Sequence, residues 1–463
     1  GPLGEGRKQM RVSHRNSLLL LLLLSVSVLL HLCSPCGAQQ DVGSFFQLTD
    51  LHIDFDYLPG SSPNCNLPLC CHYINDTDPV KAGPIGDYLC DATVPMLTTA
   101  LEFMASMKPD FVMWTGDNPC HRMWKQDREI VLNVTNRVTK YFQEYFPTTP
   151  VYPLIGNHDT FPVDEMPPPP DSQWLLDALT EMWRDWLTPD AIQTFEKGGY
   201  YTMQLMPGFR LVVLNTQWAD PLNFILYVND TDPTGQLAWL STTLSAAQSA
   251  GEKVLVAGHI SMGPLEGEIA PRCIPWYCKK YNAIVENYGD IIMGHIFGHT
   301  HTDYWRLLYK GDVPTLMYWV APSVTPYQNL NPTIRRFVFN KTTFDLLDIH
   351  QYYTNLQVDN EQKSVTWELE YSFVEEYGIP DMSAASIAGL VQRMHTDRSL
   401  FDKFYKHYFN NFSPTPACDK YCYARWLCVL GTAEFNRSLE CFSHVGASNP
   451  YPQPESLLRM NTA

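Results

Sequence analysis

Positive charge is scarce in this sequence. Lys and Arg number 32 against 49 Asp and Glu, a formal net charge of −17. The acidity is spread along the chain, so a broad electrostatic grip on a DNA or RNA polymer, which needs a basic footprint, is excluded. A small anionic ligand is not, because bound cations reverse a local field. A long apolar run is also missing. The best stretch, Leu18–Leu30, covers about 13 residues, against roughly 20 for a bilayer span. Arg11, His14 and Arg15 precede it and Cys36-Gly37-Ala38 follows it. Residues 1–38 therefore read as a secretory leader with a short extension before the first Met, cut after Ala38, and no stable membrane anchor is expected. No internal repeat is present. Charged residues make up only 17% of the chain and hydrophobic ones 45%, which leaves ample material for a large core.

Of thirteen cysteines, Cys33 and Cys36 fall in the leader, and eleven remain. Sequons stand at Asn75, Asn133, Asn229, Asn340, Asn411 and Asn436, which with the leader points to a secreted or lysosomal glycoprotein. Cysteines pair in that compartment. Cys65, Cys70, Cys71 and Cys90 cluster early, and Cys273 and Cys278 bracket a short loop; their pairing stays open. Tight spacing predicts Cys418–Cys422 and Cys428–Cys441 near the end. An odd count leaves one thiol over, and Cys120 is the expected orphan.

Apolar runs alternate with amphipathic segments from residue 44 onward. Ser44–Leu48, Phe111–Trp114, Val151–Ile155, Val254–Ala257 and Ile291–Phe297 read as strands. Tyr200–Leu205 and Leu211–Leu214 read as a hairpin. Helices are expected over 91–107, with Asp91 as N-cap, and near 129–145 and 236–249. Helical spacing recurs over 384–408. The expected architecture is an α/β sandwich with mixed sheets, because hairpins intervene between βα units. The expected organisation is a catalytic domain over 39–355, a small helical disulfide-stapled subdomain over 356–445 and a disordered tail over 446–463.

Polar residues of metal-binding type stand just after each of the five strands. They are Asp50-x-His52, Gly116-Asp117-x-x-x-His121, Gly156-Asn157-His158-Asp159, Gly258-His259 and Gly298-His299-x-His301. Asp and His two apart share one side of an extended segment. Carboxylate and imidazole together suit borderline divalent metals, and one carboxylate can bridge two ions. Two ions about 3.5–4 Å apart can hold a phosphoryl group and a nucleophilic hydroxide. Each motif alone is ordinary: an Asp-x-His is usually a surface pair, and Gly-Asn-His-Asp is a plausible turn. Five in series, each at a strand end beyond which ligands bind in α/β sheets, point to one dinuclear centre.

In this order the motifs resemble the calcineurin-like metallophosphoesterases. They are most similar to the acid sphingomyelinase-like phosphodiesterases, through Gln47-Leu48-Thr49-Asp50-Leu51-His52, Trp114-Thr115-Gly116-Asp117 and Gly86-Asp87-Tyr88-Leu89-Cys90-Asp91. Val320-Ala321-Pro322-Ser323-Val324-Thr325-Pro326 and Asn331-Pro332-Thr333-Ile334-Arg335 extend the likeness. The resemblance implies two zinc ions, one held by Asp50, His52 and His301, the other by Asn157, His259 and His299, with Asp117 bridging. It implies that His158 contacts the scissile phosphate and protonates the leaving oxygen, that His121 faces the phosphate, and that Asp159 orients its neighbours. Neither a lipid-handling domain ahead of the catalytic strand nor an apolar anchoring tail is expected, and the chain looks most like the soluble secreted branch. That branch implies a monomer acting on small phosphate-containing substrates, nucleotides above all. Sphingomyelin hydrolysis, or a catalytically weak signalling or binding protein on the same scaffold, are the alternatives.

Overall fold

The computed structural model describes residues 41–228, 232–265 and 270–444. The leader over 1–38, the tail over 446–463 and the sequon Asn229 lie outside the described residues. Two six-stranded sheets form the frame. The first runs in the order β12-β11-β10-β1-β2-β3, the second β4-β5-β6-β7-β9-β8. In the first, β1 (Val42–Leu48), β2 (Phe111–Trp114) and β3 (Val151–Pro153) are parallel neighbours. Beyond them β10 (Thr333–Asn340), β11 (Leu346–Tyr353) and β12 (Glu368–Ser372) pair antiparallel. In the second sheet β4 (Tyr201–Met206) and β5 (Phe209–Val213) form the expected hairpin. Here β5, β6 (Lys253–Ala257), β7 (Ile292–Phe297) and β9 (Val313–Val320) run parallel, and β8 (Tyr304–Lys310) returns antiparallel on β9. Both sheets are mixed, as the intervening hairpins require.

The central strands are mostly apolar and buried because both faces are covered. Phe45 stacks on Phe111 and Phe337 within its own sheet. Phe209 meets Phe339 across the gap between the sheets, ring centroids 5.7 Å apart. On the outer face, Trp114 stacks on Phe142 of the helix Arg128–Tyr145 at 4.5 Å. Gln47 on β1 donates to the carbonyl of Phe297 on β7 at 2.9 Å, a polar tie that fixes the two sheets close to the strand ends that matter.

Local chemistry departs from expectation in three places. The helix expected over 91–107 begins at Val94, and its N-cap is Thr93, whose side chain accepts from the Met96 amide; Asp91 is committed elsewhere. The third strand stops at Pro153 instead of Ile155. The helical stretch over 384–408 is two helices, Ala384–Met394 and Arg398–Tyr408. Asp397 breaks it by capping the second, its side chain accepting from the Ser399 amide. Among the described residues the cysteines pair as Cys65–Cys70, Cys71–Cys90, Cys273–Cys278, Cys418–Cys422 and Cys428–Cys441, and Cys120 is left over.

Candidate metal centre

Five strand ends converge. The loops after β1, β2 and β3 bring Asp50, His52, Asp117, His121, Asn157 and His158 from one sheet. Those after β6 and β7 bring His259, His299 and His301 from the other. Asp50, His52 and His301 place their ligand atoms within 4.8 Å of one another, and so do Asp117, His259 and His299. Asp117 joins the sets: its Oδ2 lies 3.1 Å from His259 Nε2 and 3.5 Å from His52 Nε2. Asn157 Oδ1 completes the second set, 3.0 Å from His259 Nε2 and 2.8 Å from His299 Nδ1.

The backbone reaches this arrangement in an unexpected way. Asp50, His52, Asp117, His299 and His301 all have positive φ, at +50°, +40°, +60°, +76° and +62°. The side chains two apart therefore point alike through alternate left-handed residues, and not through the pleat of an extended segment. Each such residue costs roughly 1–2 kcal/mol, strain of the kind that collects where function requires it. Two glycines permit the close approach. A Cβ on Gly156 would fall 2.1 Å from Asp117 Oδ1, and one on Gly298 would fall 2.1 Å from Thr49 Oγ1.

The groups around the cluster choose the ligand atoms. His52 Nδ1 sits 2.9 Å from the Pro119 carbonyl, and His259 Nδ1 sits 2.7 Å from the Thr115 carbonyl. A carbonyl only accepts, so both Nδ1 atoms carry the hydrogen and both Nε2 lone pairs face the cluster. Asn157 donates its Nδ2 to Asp164 at 2.8 Å, which turns Oδ1 inward. Asp159 accepts from the amides of Gly156, Asp117 and Asn118 and from Asn118 Nδ2; it holds the two loops together and stays out of the cluster. Asp117 Oδ1 accepts from the His158 amide and Asp50 from the His299 amide.

These residues fit two divalent cations. Burial, with the nearby charge of Asp117 adding to it, pushes the Asp50 carboxyl up to about 7. Burial holds the His52 and His301 imidazoles well below their ordinary value, hence neutral and with lone pairs available. Burial acts against charge on His259 too, but Asp117 and Asp50 outweigh it and lift that imidazole to about 10. A proton is thus drawn to the place a cation would take. Carboxylates that need positive charge, gathered with imidazole nitrogens in one buried cluster, are the donor set that metal ions complete.

His121 and His158 stand beside the first set, their ring centroids 4.7 Å apart and each near His52. They differ in what lies behind them. Asp91 accepts from both the amide and Nδ1 of His121, at 2.6 and 2.8 Å, and Thr325 Oγ1 steadies the same carboxylate at 3.0 Å. Burial opposes a charge on His121, yet Asp91 wins and its affinity for a proton rises. His158 has no such support: its Nδ1 is buried without a hydrogen-bond partner, and burial lowers it to about 4. Sequence reasoning gave Asp91 to a helix cap and missed this pairing. It also missed Arg272, whose Nη1 lies 3.4 Å from His299 Nε2 on the side of the second set.

Comparison with known proteins identifies the family. Residues 43–303 match the calcineurin-like phosphoesterase family, and residues 313–446 match the acid sphingomyelin phosphodiesterase C-terminal region. Sphingomyelin phosphodiesterase A of Dictyostelium discoideum is 36% identical over 400 residues, covering 84% of this chain and 66% of that protein. Human acid sphingomyelinase-like phosphodiesterase 3b is 33% identical over 452 residues, covering 93% and 96%. A cyclic GMP-AMP phosphodiesterase of Bos taurus is 33% identical over 426 residues, covering 88% and 92%. The chain spans about two thirds of the length of the first of these relatives. Among the described residues no helix is long and apolar enough to cross a membrane.

Proposed function

Because this chain belongs to the acid sphingomyelinase-like phosphodiesterases, a family of phosphodiester hydrolases with a calcineurin-like metallophosphoesterase domain, we propose that it is a secreted, zinc-dependent phosphodiesterase acting on small nucleotides. The observation that carries the reading is Asp117 Oδ2 facing both ligand sets at once. In this reading residues 39–355 hold the catalytic machinery, and residues 356–445 add the edge strand β12 and a mainly helical segment stapled by two disulfides. Passage through the secretory pathway is supported by the five disulfides and the sequons.

Asp50, His52 and His301 would hold one ion, Asn157, His259 and His299 the other, and Asp117 both. Bound there, divalent cations supply Lewis acidity to the phosphoryl oxygens and a nucleophile at neutral pH. The chain's own residues do the rest. His158, neutral and buried, contacts a phosphoryl oxygen. His121 carries the proton that the departing oxygen takes, and what supports it over His158 as donor is the Asp91 carboxylate behind it, which stabilises the imidazolium.

One observation bears on the substrate. The cyclic GMP-AMP phosphodiesterase relative supports a nucleotide, such as a nucleoside triphosphate or a dinucleotide. A lipid reading has its own support. Leu222, Phe224, Ile225 and Tyr227 are all exposed in the segment after Asp220, and one relative is a sphingomyelin phosphodiesterase. A binding-only protein has no support, since all seven ligand-type positions are filled. The test is a panel on zinc-loaded, glycosylated protein: a nucleoside triphosphate, a cyclic dinucleotide and sphingomyelin in detergent micelles. A nucleotide kcat/KM at least tenfold above that for sphingomyelin is expected, a difference of about 1.4 kcal/mol in transition-state binding. The reverse order replaces the nucleotide reading with the lipid one.

A further inference from the structure

We infer that Asn410, far along the chain in the C-terminal helical segment, is a positioning residue for the metal ligand His301. His301 sits in the left-handed region at φ +62°, a conformation that a histidine keeps only if its surroundings hold it. Its carbonyl is where it is held. That oxygen accepts from the Ser323 amide at 3.2 Å and from Asn410 Nδ2 at 3.1 Å. The same Nδ2 also donates to the Asn331 carbonyl at 3.2 Å. Asn331 answers by donating its own Nδ2 to the Asn410 carbonyl at 3.1 Å and accepting from Tyr88 Oη at 2.7 Å. Asn410 and Asn331 thus form a reciprocal clasp, fully buried, with the His301 backbone in its jaws.

The residue type follows from the geometry. Asn410 is itself left-handed, at φ +51°, a region that asparagine and glycine tolerate far better than other residues. Of these two only asparagine brings a side-chain donor with two hydrogens to share between two carbonyls. A second grip lies two residues further on. Asp303 pairs with Arg335 and accepts from the hydroxyl of Tyr371 on β12. The turn that carries His301 is therefore tied to the C-terminal part of the chain on both sides, and Asn410 is the tie nearest the ligand.

The inference rests on the reading of Asp50, His52 and His301 as one ion's ligands. The test is zinc binding to the full-length chain, by elemental analysis after dialysis against graded chelator, with the visible spectrum of the cobalt(II)-substituted protein as a second readout. Asn410→Asp keeps the shape and loses the donors. Asn410→Gly suits the backbone angle and loses the side chain. Both variants are expected to bind one ion 10–100-fold more weakly, the usual effect of losing a group that orients a ligand, and to leave the other ion unchanged. The cobalt bands should change for one site only. Wild-type affinity for both ions in either variant overturns the inference, and so does parallel loss of both ions with an early thermal transition, which would mean that Asn410 holds the fold and not the ligand. Wild-type protein that binds no ion would instead sink the two-metal reading itself.

Discussion

Asp117→Ala is expected to empty both halves of the site together and to lower kcat/KM by about 10³-fold or more. The reason is geometric. Asp117 Oδ2 faces His259 and His52 at 3.1 and 3.5 Å, a closer approach to the second set than that of Asp50, whose Oδ1 lies 3.9 Å from His259 Nε2. The second oxygen of Asp117 receives the His158 amide at 2.8 Å, so the same carboxylate also places the residue proposed to contact the phosphate. Removing it leaves Asp50 as the one carboxylate in the cluster. The loss of Lewis acidity alone is worth several kcal/mol of transition-state stabilisation, at tenfold in rate for each 1.4 kcal/mol or so. His52→Ala is the control: it should lose one ion and keep the other. The outcomes are read by metal analysis of each variant beside its kinetics, with circular dichroism to show that the fold persists. An Asp117→Ala protein that retains one tightly held ion would show that the carboxylate belongs to a single site.

The second large effect concerns the proton. His121→Ala should slow hydrolysis of substrates with poor leaving groups by about 10²–10⁴-fold, the usual worth of general acid catalysis. It should cost much less with a nitrophenyl ester, whose oxygen departs without a proton. Asp91→Asn should show the same pattern in milder form, since Asp91 touches only His121 and Thr325 among the groups of the site. His158→Ala should slow good and poor leaving groups alike, because in the proposed role a neutral imidazole on the phosphate serves both. Both metals should remain in all three variants. If the leaving-group dependence appears with His158→Ala and not with His121→Ala, the donor is His158 and Asp91 serves only to fix a loop.

The mixed α/β sheets and the convergence of five strand-end loops were legible because the signal is local; the order of the strands within each sheet was not. A short apolar run followed by glycine and a metal-type side chain marks a buried strand and its end, and five of them in series leave little choice of architecture. The terminal disulfides were legible from spacing alone. The early cysteines were not, because four cysteines within a short segment admit alternative pairings; the structure joins Cys65 to Cys70 and Cys71 to Cys90. Asp91 was misread because an aspartate just ahead of a helix looks the same whether it caps that helix or reaches across to His121, and Thr93 took the cap. The left-handed backbone at Asp50 and His52 is invisible in a pattern that fits a pleat equally well. Asn410 meets His301 across 109 residues of chain, and nothing near it in sequence announces the contact.

The central claim is that two metal ions sit in one cluster, and elemental analysis tests it most directly. On the proposed reading, full-length glycosylated protein from the culture medium, dialysed against metal-free buffer, should carry two zinc ions per chain, one for each of the two ligand sets. Chelation should abolish activity, and returning zinc should restore it. Protein that carries no metal, or a single tightly held ion at full activity, would contradict the account.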